Sequence, residues 1–318
     1  MKIVLVLLEI LFVVLIVAEI GLRLRFGLGS PVLYLGDSDI GYLLAPNQKT
    51  RRDGNLIEIN QYSMRSASIS PLPTAGTGRV MLLGDSLVNG GWWTDQSQTL
   101  SALIGQQLLS GSGNGVSWQV LNVSANSWGP PNQLAYLQRF GMFGSEVMVL
   151  LLNTDDLFSG LPNPGVVGRD RNYPNVPPRL ALVEVFNRQL RPSEPIPPRQ
   201  QPQPSDLVGY NLEKLLMIEA IALQNNANFI LAMTPLLREV GEPGSRDYEI
   251  KARQRLTELT KSQNWVYIDF LPIFKATAQP ETLYRDHIHL TPSGNQLVSE
   301  TISQRLKEQL SIRNRDIK

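Results

Sequence analysis

Cysteine is absent from this 318-residue chain, and histidine occurs only twice, as His287 and His289. The first absence excludes thiolate metal sites, iron–sulfur clusters, a thiol nucleophile and structural disulfides. The second confines any imidazole chemistry to one short segment near the C-terminus. Charge of one sign is also lacking: 29 Lys and Arg against 28 Asp and Glu leave a net charge of +1, which offers no basic footprint for nucleic acid. What is present, 42% hydrophobic and 18% charged residues, is the composition of a globular protein that buries a core.

Long hydrophobic runs are missing except for one. Ile3 to Leu22 is apolar apart from Glu9 and Glu19, about the 20 residues a helix needs to cross a bilayer. A cleavage site of small residues does not follow, since Ala18 precedes Glu19, Ile20 and Gly21; residues 1–25 therefore read as an uncleaved membrane anchor. Glu19 can pair with Arg23 one turn on. An amphipathic or core helix is the alternative reading. Lys2 on one flank and Arg23 and Arg25 on the other leave the charge rule for orientation undecided. The usual arrangement of a single N-terminal anchor before a large domain puts the body outside the cytoplasm. The membrane is then one expected partner, and protein partners are left open.

Residues 26–78 are polar and turn-rich, with Gly36, Gly41, Pro46, Gly54, Pro71, Pro73 and Gly76, and read as a stalk and lead-in packed on the domain. From residue 79 to 318 short apolar runs alternate with helical ones, the pattern of βαβ units. Strands are expected at Arg79 to Gly84, Trp118 to Ser124, Glu146 to Leu152, Asn228 to Met233 and Trp265 to Phe270. Helices are expected at Ser97 to Leu109, Pro131 to Phe140, Asp206 to Gln224, Ser245 to Ser262 and Pro292 to Leu310. This predicts an α/β fold with five parallel strands and helices on both faces. Residues 162–204 interrupt the alternation with 11 of the 22 prolines, which exclude helix and sheet over much of the insert. Leu180 to Phe186 can dock as one helix. The insert reads either as a flap over or beside the ligand edge, with a disordered tail, or as a plain surface excursion.

In an open parallel sheet the ligand lies at the carboxyl ends of the strands. After the first strand, VMLLGDSLVNGG puts Ser86 at the turn into a glycine-rich loop, where backbone N–H groups are free. After the last strand, LYRDHIHLTPSG brings Asp286 within three residues of His289. A serine hydroxyl becomes a nucleophile when a base takes its proton, and the base needs a carboxylate to fix its tautomer. Ser86, His289 and Asp286 supply those parts. Singly, each also fits a plain role: helix cap, packed polar residue, turn former. A second Gly-Asp-Ser, Gly36 to Ser38, precedes no helix and reads as a turn. Trp92, Trp93 and Trp128 lie on loops nearby and read as packing residues or as an apolar, sugar-stacking wall.

In these blocks the chain resembles the GDSL-type, or SGNH, hydrolase family of esterases and lipases. LGDSLVNGG is similar to its nucleophile block, and DHIHLTPSG to its D-x-x-H-L-x-x-x-G block, with Gly294 at the final glycine. The resemblance covers roughly residues 79 to 310 and implies a flavodoxin-like three-layer α/β/α fold, with nucleophile Ser86, base His289 and orienting Asp286. His287 fits no family position. GYLLAPNQKT followed by INQYSMR resembles the lead-in of membrane-anchored members. VLNVSANSWGP is similar to the second block, whose glycine N–H helps to bind the oxyanion; here that position is Ser127, or the role has moved to Gly129. The third block normally carries Asn before Asp, whereas LLNTDDLFS has Asp155 there. An ionised Asp155 cannot donate to an oxyanion, so Asn153 or Asn126 is expected to substitute.

The resemblance implies a serine esterase that hydrolyses carboxylic esters, of an O-acetylated glycan or of lipid type, through an acyl-enzyme, with no metal or other cofactor. Two alternatives accompany it: a membrane-tethered polysaccharide O-acyltransferase, and a non-catalytic glycan-binding protein on a degenerate hydrolase fold.

Overall fold

A computed structural model describes residues 1–110, 117–190, 194–197 and 202–316. The chain begins with helix α1, Lys2–Phe26, none of whose residues is buried. Its mean hydropathy over an 18-residue window is 3.1, so it is long and apolar enough to cross a membrane. Gly27 ends it in the left-handed region, at φ 68°, where a residue without a Cβ is least strained.

The lead-in is more ordered than its polar sequence implies. It forms two antiparallel hairpins, β1 (Tyr34–Asp37) with β2 (Gly41–Leu44) and β3 (Gln48–Arg52) with β4 (Asn55–Ile59). The second closes on Asp53 and Gly54, both at positive φ, the two-residue turn that matches strand twist. Tyr34, Ile40, Leu44, Ile57, Ile59 and Met64 are buried in the main core, so this segment packs on the body.

The body is built on β5 (Thr77–Gly84), α2 (Ser86–Asn89), α3 (Leu100–Ser110), β6 (Ser117–Ser124), α4 (Pro130–Phe140) and β7 (Val147–Asn153). The chain continues through α5 (Ala181–Leu190), α6 (Leu207–Gln224), β8 (Asn228–Thr234), α7 (Leu237–Val240), α8 (Asp247–Ser262), β9 (Val266–Asp269), α9 (Phe270–Lys275) and α10 (Pro292–Asp316). The sheet order is β6-β5-β7-β8-β9 with every pair parallel, the flavodoxin-like order. All five expected strands form, with ends displaced by one or two residues.

Side-chain alternation along the strands splits the core. Met81, Leu83, Met148 and Leu150 pack against α4, α6 and the hairpins. Val80, Leu82, Val149 and Leu151 pack against α3, α9 and α10. Both sheet faces are covered, which is why the strands read as continuous apolar runs.

Within the proline-rich insert, α5 is the one helix of eight or more residues among the described positions, and it docks. Its Glu184, buried, pairs with the buried Arg52 of β3 and accepts the N–H of Gly29 at 2.6 Å. Glu19 of α1 accepts the N–H groups of Ala181 and Leu182 at 2.9 and 3.0 Å. The expectation of a disordered tail falls largely on 191–193 and 198–201, outside the described residues.

Candidate active site

The strand order reverses between β5 and β7, and the crevice at their carboxyl ends is where a ligand fits in such a sheet. A cavity of about 580 Å³ opens there. Gly84 ends β5 against its neighbours: a Cβ at this position would lie 2.5 Å from Val88 Cγ2 and 2.8 Å from the Leu151 carbonyl. The chain therefore turns sharply enough to start α2 at Ser86. Asp85 caps that helix by accepting the Leu87 N–H at 2.8 Å. As the first helical residue, Ser86 has an N–H with no intrahelical acceptor. The loop beyond α2 is clamped by the buried guanidinium of Arg65, which donates to the carbonyls of Asn89, Gly91 and Thr94. Burial lowers the Arg65 pKa to about 10, so it stays cationic at neutral pH.

Asp286 and His289 sit on the loop before α10. The Asp286 carboxylate accepts the N–H groups of Ile288 and His289 at 3.0 and 2.9 Å. Its Oδ2 lies 2.8 Å from His289 Nδ1, and His289 Nε2 lies 2.9 Å from Ser86 Oγ. Trp93 meets the imidazole edge to face at a ring separation of 4.8 Å. Burial opposes ionisation of Asp286, but the two amides and the imidazole outweigh it and hold its pKa below the usual carboxylate range. An ionised Asp286 fixes the tautomer with the proton on Nδ1, leaving Nε2 free to accept from the serine. His287 is exposed, and its ring stays 3.8 Å from Asp286. Ser38 belongs to a turn in which Asp37 accepts the N–H groups of Asp39 and Ile40.

On the opposite wall, Asn126, Ser127, Asn153 and Asp155 all line the same cavity. Ser127 has φ 57°, a conformation that favours glycine, and its N–H makes no hydrogen bond among the described residues. The two other candidates for the glycine and asparagine roles are engaged elsewhere. The Gly129 N–H donates to Asn132 Oδ1 within the cap of α4. Asn153 Nδ2 donates to Asp85 Oδ2 at 2.9 Å and to Asp156 Oδ2 at 3.0 Å, while its Oδ1 accepts the Asp155 N–H. Both amide protons of Asn153 are thus spent on carboxylates, because the side chain at a strand end turns toward the neighbouring strand. Asn126 is different: its Oδ1 is buried without a partner, and its side-chain amide makes no hydrogen bond among the described residues. Of the two readings offered for Trp128, packing holds: it is 1% exposed, and its Nε1 donates to the Tyr42 carbonyl at 2.9 Å. Trp92 and Trp93 do line the cavity.

Several lining residues escaped the sequence reading. Burial pushes the Asp85 carboxyl up to about 6. It raises Asp156 further, with the neighbouring Asp85 charge adding to the effect. Asp156 could have been noted as the second of two carboxylates directly after a strand. Arg52, Arg171, Tyr173 and Arg188 complete the far wall; their sequence neighbourhoods carry no periodic signal, and only the fold brings them here.

A family model described as GDSL-like Lipase/Acylhydrolase matches residues 82–297. The chain belongs to this family and is an ester hydrolase with the α/β/α fold. Among solved structures, the lipase/acylhydrolase from Enterococcus faecalis is 16% identical, over 73% of this chain and 96% of that one, with a TM-score of 0.47. An acetylxylan esterase from Geobacillus stearothermophilus is 10% identical, over 74% and 95%, with a TM-score of 0.47. No curated protein matches the chain.

Proposed function

We propose that the protein is a membrane-anchored serine esterase in which Ser86 attacks a carboxylic ester, His289 is the general base and acid, and Asp286 orients it. The observation that carries this reading is the continuous line from Asp286 Oδ2 through the imidazole to Ser86 Oγ, with contacts of 2.8 and 2.9 Å. As Ser86 Oγ bonds to the acyl carbon, its proton passes to His289 Nε2. The tetrahedral intermediate collapses when that proton is returned to the departing alkoxide, leaving an acyl-serine. Water, activated by the same nitrogen, then releases the acid.

The developing oxyanion is met by the N–H groups of Ser86 and Ser127 and by the Asn126 side-chain amide. Asp155 has no donor to offer and faces water at the rim, where its charge is screened. Substrates are esters with a small or medium acyl group, as in an O-acetylated glycan or a lipid-type ester. Residues 1–25 anchor the protein, residues 26–78 lead in, and residues 79–318 form the hydrolase body outside the cytoplasm.

The test is covalent labelling of the full chain in detergent with a fluorophosphonate. Wild type should label, while Ser86→Ala and His289→Ala should not. A folded wild type that resists the probe, or a labelled Ser86→Ala variant, removes Ser86 from the nucleophile's role.

A further inference from the structure

Helix α5 presents an apolar face that no described residue covers. Val183, Phe186 and Leu190, at the three- and four-residue spacing of one helical stripe, are 40%, 58% and 67% exposed, and Val176 and Leu180 just before the helix are 66% and 46% exposed. The opposite face does the docking, through Ala181 and Glu184. What lies beside the exposed stripe is the foot of α1. Glu19 accepts the first two N–H groups of α5, and the Arg23 guanidinium donates to the Arg179 carbonyl at 2.9 Å. On the same stretch of α1, Ile20, Leu24 and Phe26 are also exposed. From Glu19 to the end of α1 is only about 10 Å at the helical rise of 1.5 Å per residue, so α5 starts within the headgroup depth of a bilayer that α1 spans.

We infer that α5 is a second membrane-contacting element, an amphipathic helix whose Val183, Phe186 and Leu190 lie in the phospholipid interface beside the anchor. The inference rests on the reading of α1 as the anchor. Continuity of the two apolar surfaces selects lipid as the occupant: a protein partner on this face would have to share it with the bilayer around α1. The exposed Arg179 at the same level suits anionic headgroups. Scattered exposed leucines are ordinary on a soluble surface, but an apolar stripe bonded at its first turn to a transmembrane segment is not. The consequence for the site is direct. Arg188, on the docked side of α5, lines the catalytic cavity together with Arg171 and Tyr173 of the same insert. An interfacial α5 therefore holds the cavity mouth at the membrane surface, where esters carried by membrane-bound molecules are presented.

Because the chain has no cysteine, single-cysteine variants report cleanly. Phe186→Cys, Leu11→Cys and Ser262→Cys, made in the full chain, would each be labelled with a nitrobenzoxadiazole dye. They would be reconstituted into phosphatidylcholine and phosphatidylglycerol vesicles, with and without a doxyl-labelled lipid. Ser262 is exposed at the C-terminal end of α8. The expected result is blue-shifted emission, quenched by the doxyl lipid, at positions 11 and 186 but not at 262. Quenching at 11 with position 186 as water-exposed as 262 overturns the role of α5 and leaves the anchor standing. No quenching at either 11 or 186 overturns the proposal together with the anchor. Fluorophosphonate labelling of Ser86 is independent of all three outcomes.

Discussion

The loop bearing Asp286 and His289 is held mostly by its own residues, whereas the floor formed by Asp85, Asn153 and Asp156 is held between the ends of two different strands. In the loop, Asp286 binds the amides of Ile288 and His289, and the Arg285 N–H binds the His289 carbonyl. On the floor, the one amide of Asn153 bridges carboxylates that belong to the β5 end and to the turn after β7. The difference shows in charge. Local amides keep Asp286 ionised, while burial drives Asp85 and Asp156 toward the protonated state. The loop holds an anionic carboxylate against an imidazole, and the floor holds proton-binding carboxylates as a consequence of how the strands are joined.

The sharpest way to break this contrast is Asp286→Asn. The asparagine oxygen still accepts the two amides, so the loop and the melting temperature should change little. Its NH₂ can face the imidazole only by donating, which selects the tautomer with the proton on Nε2. Esterase kcat/KM at neutral pH should then fall on the order of 10³- to 10⁴-fold. Steady-state kinetics on a soluble acetyl ester, beside a melting curve, checks it; a fall below tenfold would mean that His289 is oriented by something other than Asp286.

A smaller effect separates the two asparagines. Asn126→Ala should lower kcat roughly 100-fold with KM nearly unchanged, the cost of about 2.7 kcal/mol or more for one lost oxyanion donor. Asn153→Ala should show itself first in stability, by about 1–3 kcal/mol, because it takes one donor from each of two buried carboxylates. Chemical denaturation and kinetics on the same two variants decide the matter. If Asn153→Ala alone lost kcat at unchanged stability, the assignment of the donor would be reversed.

The same contrast explains what could be read from the amino-acid sequence. The five parallel strands followed from apolar runs alternating with helical ones, because both sheet faces are buried, whereas their flavodoxin-like arrangement was implied by the family resemblance. Ser86, Asp286 and His289 were legible because each lies in a short contiguous block directly after a strand or before a helix. The hairpins of residues 34–59 were not, since their strands are four or five residues long and one of them, β3, is wholly polar. Asp53 and Gly54 were the available signal. Asn153 could be expected to face the oxyanion from strand alternation alone. Its capture by Asp85 depends on the β5–β7 pairing, which no local pattern encodes. Arg52, Arg171 and Arg188 reached the cavity by the same long-range route.

The smallest expected effect concerns the pH dependence of the floor. In an unfolded chain an aspartate titrates near roughly 3.9, whereas burial pushes folded Asp85 up to about 6. The folded state therefore binds the proton more tightly. The stability this adds is complete below the unfolded value, declines as pH rises through about 6, and is gone above it. Asp156, raised by burial and by Asp85, works in the same direction. Asp286, with its pKa lowered, works in the opposite one, but its contribution is already complete above roughly 3.9 and so adds no slope beyond that point. Asp85→Asn keeps a good helix cap and removes the titration. Between about pH 4.5 and about pH 7 the wild-type melting temperature should therefore fall relative to that of the variant, on the order of a few degrees. Parallel curves for the two proteins would mean that Asp85 is already ionised at the lower pH, with Asn153 and Leu87 compensating its burial in full.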